Sequence, residues 1–181
     1  MNITIDRTVS GLRRRAKDRF GPLADYAVMR RRRTTWRDVA APSLFLGAAS
    51  GLRSLTGLAT VVARSDPSLP EIFLQPWTRR LVIATAAGEL VVDKLPATPS
   101  RLAPPSIVAR LAFGALAAGV FARTRRAPWL PAAAIGASAA AVAAKIGHDV
   151  RARLAKHAPD AAVAVVEDEL ALGLAAAGAS R

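Results

Sequence analysis

The sequence predicts an all-α fold, a polytopic membrane bundle of four to five short transmembrane or re-entrant helices. Three observations predict it. Long apolar runs alternate with short connectors rich in proline and charge. The runs show little polar face, whereas a surface helix of a soluble domain has one. The charges collect at the N-terminus, in the connectors, or at isolated points inside the runs. Bulk composition says less. Of 181 residues, 52% are hydrophobic, close to the roughly 45–50% of a soluble domain. An alanine-rich soluble bundle is therefore the competing reading.

The length suits one domain, divided here into a basic arm (1–38) and a transmembrane domain (39–181). The arm holds 11 of the 26 basic residues and 4 of the 13 acidic ones, in a chain of net charge +13. Between its arginine clusters, Leu12, Ala16, Phe20 and Leu23 recur at roughly helical spacing. That pattern suits an amphipathic helix on an anionic leaflet; the alternative is a solvated tail that only sets topology. The arm carries no specific nucleic-acid signal, since basic charge alone binds phosphate without selectivity. No apolar stretch follows the first charges closely, so a signal peptide is not expected. Without cysteine, disulfides and thiolate metal sites are excluded.

The first run, 39–63, is long enough to span a bilayer core of about 20 residues. Arg53 stands near its middle. Gly47 and Gly51 form a small-xxx-small pair that lets helices approach closely. A connector with Pro67, Pro70, Pro76 and Trp77 follows. The run 81–95 is short and contains Glu89 and Asp93, and Pro96 stops it. Pro104 and Pro105 precede 106–122, which carries Arg110 and the packing residues Gly114 and Gly119. The connector 123–128 is basic. The run 130–150 is rich in alanine and holds Lys145, His148 and Asp149. The last, 161–179, begins with Glu167, Asp168 and Glu169.

The positive-inside rule puts the basic arm in the cytoplasm. Strict alternation of five spans then puts Arg123, Arg125 and Arg126 outside, against the rule. Either one segment is re-entrant or that short loop is an exception to the rule. A duplication is also legible: a glycine/alanine-rich helix with a cation (Arg53, Lys145), then a short acidic helix, twice. With the third helix as connector, the units would form an inverted repeat, as in small transporters. Five short helices enclose little, so a homo-oligomer is expected.

Glu89 and Asp93 are four apart and share one helix face. Carboxylates facing hydrocarbon are costly, so they should face a partner or a water-filled cavity. Arg53 keeps its charge and is the natural counter-charge, with Glu89, Glu167 and Asp168 as candidate partners. Glu167 and Asp168 are consecutive, so only one need face the bundle. His148 with Asp149 is a candidate proton relay. Two distant histidines and no cysteine argue against zinc. Carboxylates suit a hard cation such as Mg²⁺ or Ca²⁺, but nothing specifies one, and no cofactor is expected.

Three stretches, Ala49-Ser-Gly-Leu-Arg-Ser-Leu-Thr-Gly, Gly88-Glu-Leu-Val-Val-Asp-Lys-Leu-Pro and Val166-Glu-Asp-Glu-Leu-Ala-Leu-Gly, resemble the signatures of the bacterial domain of unknown function 4126 family. The Glu-x-x-x-Asp-Lys-x-Pro stretch is the most specific, and the arm before Val39 departs from the family's shorter N-terminus. The resemblance implies a multi-pass membrane protein and no particular activity. Enzyme motifs such as a P-loop or Gly-x-Ser-x-Gly are absent. The expectation is a multi-pass protein of the bacterial cytoplasmic (inner) membrane, N-terminus inside, with the bilayer and anionic lipids as partners. It is read first as an ion or small-solute transporter or channel with Glu89, Asp93, Glu167 or Asp168 at its site. The second reading is a non-transporting scaffold or lipid-binding protein, and a third is an enzyme acting on lipid head groups.

Overall fold

The structure is a computed structural model that describes residues 34–92, 104–154 and 159–180. The expectations for the basic arm up to residue 33 and for Asp93 lie outside the described residues. Thr34–Arg181 is one compact unit. Among the described residues there are seven helices and no strand. They are α1 (Trp36–Leu52), α2 (Thr56–Ala63), α3 (Glu71–Leu74), α4 (Pro76–Val92), α5 (Pro104–Thr124), α6 (Trp129–Leu154) and α7 (Asp160–Ala179).

Several boundaries follow from local chemistry. Asp38 closes the start of α1, accepting from the Thr35 N–H at 2.7 Å and the Thr35 hydroxyl at 2.9 Å. Pro76 opens α4, and Pro104 with Pro105 opens α5. A first-turn proline loses no hydrogen bond, because that N–H has no helical partner. Arg151 and Arg153 carry α6 four residues beyond the expected end at 150, where cations complement the carbonyl end of a helix. In the α2–α3 connector Asp66 accepts the Ser68 N–H at 2.8 Å. Hydrogen bonds from the Ser68 backbone, then its hydroxyl, hold that carboxyl below its usual range.

The run 39–63 is not a single helix. Arg53 has extended backbone (φ −137°, ψ 113°) and separates α1 from α2. The second piece turns back along the first. A methyl on Gly57 would come within 2.5 Å of the Leu46 carbonyl and the Ser50 hydroxyl, although 11 residues of continuous helix would separate 46 from 57 by about 16 Å.

The directions of the other helices follow from their neighbours. Gly47 faces Gly136 and Gly51 faces Ala140, so α1 and α6 run the same way. Gly178 meets Pro42 and Phe45, while Asp168 meets Arg53, so α7 runs against α1. Arg79 donates to the Ala63 carbonyl and Glu89 accepts from Ser54, so α4 runs against α2. Arg110 reaches Leu52, and Phe121 and Thr124 lie beside Val61 and Arg64, so α5 runs with α2. The helix that leads into Arg53, α1, is parallel to α6, the helix of Lys145, which lends no support to an inverted repeat.

This arrangement gives the unit two ends. One holds the start of α1, the α2–α3 connector, the α5–α6 turn and the end of α7. Trp36, Trp77 and Trp129 each begin a helix there. Arg37 lies 5.7 Å over the Trp36 ring, Arg123 5.7 Å over Trp129, and Arg125 5.1 Å over Phe121. The other end holds the α1–α2 break, the end of α4 and the α6–α7 connection.

Burial is partly inverted relative to a water-soluble domain. Leu46, Leu58, Val62 and Phe121 belong to a buried apolar cluster, but alanine is the commonest buried residue, with Ala49, Ala117, Ala118, Ala140 and Ala175 fully covered, and the interior also contains Arg53, Arg110, Glu167 and Asp168. The outside carries the large apolar side chains, among them Val91, Val108, Leu130, Val142, Ile146, Val166 and Leu170. Small residues let the backbones touch. A β-carbon on Gly47 would strike the Gly136 carbonyl, one on Gly51 the Ala140 carbonyl, and one on Gly136 the Gly114 carbonyl. A methyl on Gly119 would sit 3.5 Å from Ala133, an ordinary contact. Among the described residues, α5 and α6 are long and apolar enough to cross a membrane. The others fall short of that measure. The break shortens α1 and α2, the described part of α4 ends at Val92, and α7 carries Glu167, Asp168 and Glu169.

Candidate functional site

Breaking a helix exposes backbone carbonyls on one side and amides on the other, and buried polar groups need partners. Here each exposed end meets a side chain of opposite sign. Arg110 of α5, 2% exposed, donates from one guanidinium nitrogen to the Gly51 and Leu52 carbonyls, each at 2.7 Å. Glu89 of α4 accepts from the other side, the Ser54 N–H at 2.7 Å and the Leu55 N–H at 3.0 Å. A cation at a helix C-terminus and an anion at an N-terminus are the favourable placements.

Arg53 lies between the two ends and is fully buried. Its Nε and a terminal nitrogen each lie 2.5 Å from Oδ1 of Asp168 on α7. Arg53 and Glu89 both lie within electrostatic reach of Arg110. Among the described residues, two cations (Arg53 at the break and Arg110 of α5) and two carboxylates (Glu89 of α4 and Asp168 of α7) thus gather at one break. The Ser50 hydroxyl, fully buried and against Gly57 in the first turn of α2, has no hydrogen-bond partner among the described residues.

Of the candidate partners for Arg53, the contact falls to Asp168. Glu89 joins the same cluster through backbone amides. Glu167 points elsewhere, its Oε2 lying 3.8 Å from Arg151 of α6. Asp149 accepts from Lys145 at 2.6 and 2.8 Å on the outer face of α6, away from the break. His148 is half-buried beside it on the same helix. No group of three or more metal-ligating side chains occurs among the described residues. The sequence had marked Arg110 only as a lone charge in an apolar run, without a role. The same signal that singled out Arg53 applies to it.

Comparison with family models, curated proteins and solved structures gave no match.

Proposed function

We propose that this chain is a multi-pass protein of the bacterial cytoplasmic membrane that moves a small ion or solute, with its site at the α1–α2 break. The membrane reading rests on the partly inverted burial. Contiguous exposed apolar surface of this kind is disfavoured in water, whereas lipid solvates it and forces charges inward onto one another. In this reading α1–α2 is a re-entrant hairpin, and α4, α5, α6 and α7 cross. Arg64, Arg79, Arg123, Arg125 and Arg126 then share the end at which α1 begins. Placing that end in the cytoplasm gives the α5–α6 turn the side that the positive-inside rule asks for, with Arg151 and Arg153 at the end of α6 as the smaller cluster on the opposite side. The three tryptophans form one interfacial belt.

The transport reading rests on one observation, a broken helix whose opposed ends are met by charged side chains from separate helices. Discontinuous helices of this sort supply ion and substrate sites in secondary transporters. The unpartnered Ser50 hydroxyl adds a polar group that a ligand can use. The resemblance to the domain of unknown function 4126 family fits the same place. Its first stretch supplies Arg53, Ser54 and Leu55, its second supplies Glu89 and its third Asp168.

A scaffold without transport is the second reading, favoured by the close pairing of Glu89, Arg110 and Arg53 with fixed partners at 2.5–3.0 Å. Ion flux into liposomes containing the purified protein separates the two. Protons and common cations and anions are scanned, with Glu89→Gln alongside. Flux above protein-free liposomes that drops at least about ten-fold in Glu89→Gln, a loss of about 1.4 kcal/mol, supports transport. Absence of flux from folded protein, with Glu89→Gln only lowering stability, leaves the scaffold.

A further inference from the structure

A groove of about 430 Å³ runs along the outside of α5, closed on one flank by α6 and on the other by α3. Its walls are apolar, formed by Phe73, Ala112, Ala115, Leu116 and Gly119. From Ala112 to Arg123 the wall extends about 16 Å along the helix. One end differs from the rest. There Arg123 lies 5.7 Å over the Trp129 ring, and both side chains line the groove. That end coincides with the belt of Trp36, Trp77 and Trp129 and with Arg125 and Arg126.

We propose that this groove holds one acyl chain of an anionic phospholipid, with its phosphate on Arg123 and Trp129. The inference rests on the membrane reading above and not on transport. Shape and charge select the occupant together. A straight apolar channel parallel to a spanning helix matches an acyl chain in direction. A single cation at the interfacial end matches a head group, which lies at that depth. Arg123 has a ring beside it and two further arginines in the same turn, so the local field favours an anion over a zwitterion. The Trp129 indole N–H is a donor suited to the head-group region. A second copy of the chain would need to bring a carboxylate to Arg123. The acidic side chains at this end, Asp38, Asp66 and Glu71, are outnumbered there by Arg64, Arg79, Arg123, Arg125 and Arg126, so the same end of a second copy is repelled.

The test uses the full chain with Trp36→Phe and Trp77→Phe, so that Trp129 alone reports. Flotation with phosphatidylcholine vesicles comes first, and failure to float would refute the membrane reading itself. In floated protein, phosphatidylglycerol or phosphatidylcholine with brominated acyl chains is then titrated and Trp129 quenching is read. Half-quenching is expected at about five-fold lower mole fraction of brominated phosphatidylglycerol, the discrimination one interfacial arginine provides. Arg123→Gln should abolish that difference, and Ala115→Phe, which fills the groove, should weaken quenching by both lipids. Equal quenching by both lipids in the Arg123 protein would mean ordinary annular contact and overturn the proposal. So would quenching untouched by Ala115→Phe, or shielding of Trp129 that grows with the protein-to-lipid ratio, which would assign the groove to a second copy.

Discussion

Replacing Asp168 with asparagine should be among the most damaging single changes in this protein. Arg53 is fully buried, and two of its nitrogens lie 2.5 Å from one Asp168 oxygen. Asparagine keeps the size and a carbonyl oxygen but removes the negative charge that compensates the guanidinium. Breaking a buried pair by deleting one partner costs about 3–5 kcal/mol, because a charge is left in a poorly solvating interior. For a chain of this size each kcal/mol moves the midpoint by about 2–4 °C, so Asp168→Asn should melt about 10 °C lower. The double change Arg53→Met with Asp168→Leu removes both charges and fills similar volume. It should recover most of that loss, since apolar isosteres of buried pairs are often neutral or better. The assay is thermal unfolding of the purified chain in detergent micelles, followed by helical circular dichroism. An Asp168→Asn midpoint within about 2 °C of the parent, less than the shift for one kcal/mol, would refute the reasoning. A double variant no better than the single one would show that the pair acts through something besides mutual neutralisation.

Three further outcomes follow from the geometry. Gly136→Ala drives a methyl into the Gly114 carbonyl and to 2.6 Å from Ala118, and should cost about 1–3 kcal/mol in the same melt. By contrast Gly88→Ala and Gly173→Ala meet nothing within 4 Å and should be neutral or stabilise by up to about 1 kcal/mol, the helix preference for alanine. Because the chain has no cysteine, single Ser68→Cys, Arg126→Cys and Arg153→Cys variants in inverted and right-side-out vesicles can report topology with an impermeant thiol reagent. The fold-back predicts that the first two label from one side and the third from the other, and labelling of Ser68→Cys and Arg153→Cys from the same side would eliminate it.

The apolar runs were legible because length and hydropathy are local properties. All five contain helix in the structure. The break at Arg53 was not legible, because no proline stands at 53–55 and no glycine marks the turn. Distant residues make it, with Arg110 taking the freed carbonyls and Glu89 the freed amides. Glu89 was conspicuous as a carboxylate in an apolar run, but its partners are backbone groups, and a backbone amide has no letter of its own. Spacing required only one of Glu167 and Asp168 to face inward, yet both are buried, Asp168 on Arg53 and Glu167 towards Arg151. The crossing of α1, α5 and α6 decides which small residues matter. Gly136 therefore stayed hidden among alanines, whereas Gly47, Gly51 and Gly114 stood out by their repeats. The prolines misled in one respect: Pro76 was placed in a connector and Pro104 and Pro105 before a run, and they are the first residues inside helices.

The cluster at the break is not equally attached on all sides. Arg53 follows the last residue of α1 and Arg110 belongs to α5; these helices pack on each other and on α6, and Asp168 belongs to α7, which packs on α1 and α2. Glu89 belongs to α4, which packs chiefly on α2 and the one-turn α3. The member of the cluster with the least support is therefore the one that caps the α2 amides. Movement of α4 alone withdraws Glu89 and leaves the Arg53–Asp168 pair and the Arg110 cap in place. It also takes one negative charge from the break and bares the two amides of Ser54 and Leu55. A scaffold has no use for that asymmetry, since the bundle would be firmer with all four charges on tightly packed helices. A transporter needs one charge that can leave while the others hold the backbone open, and α4 is where this fold provides it.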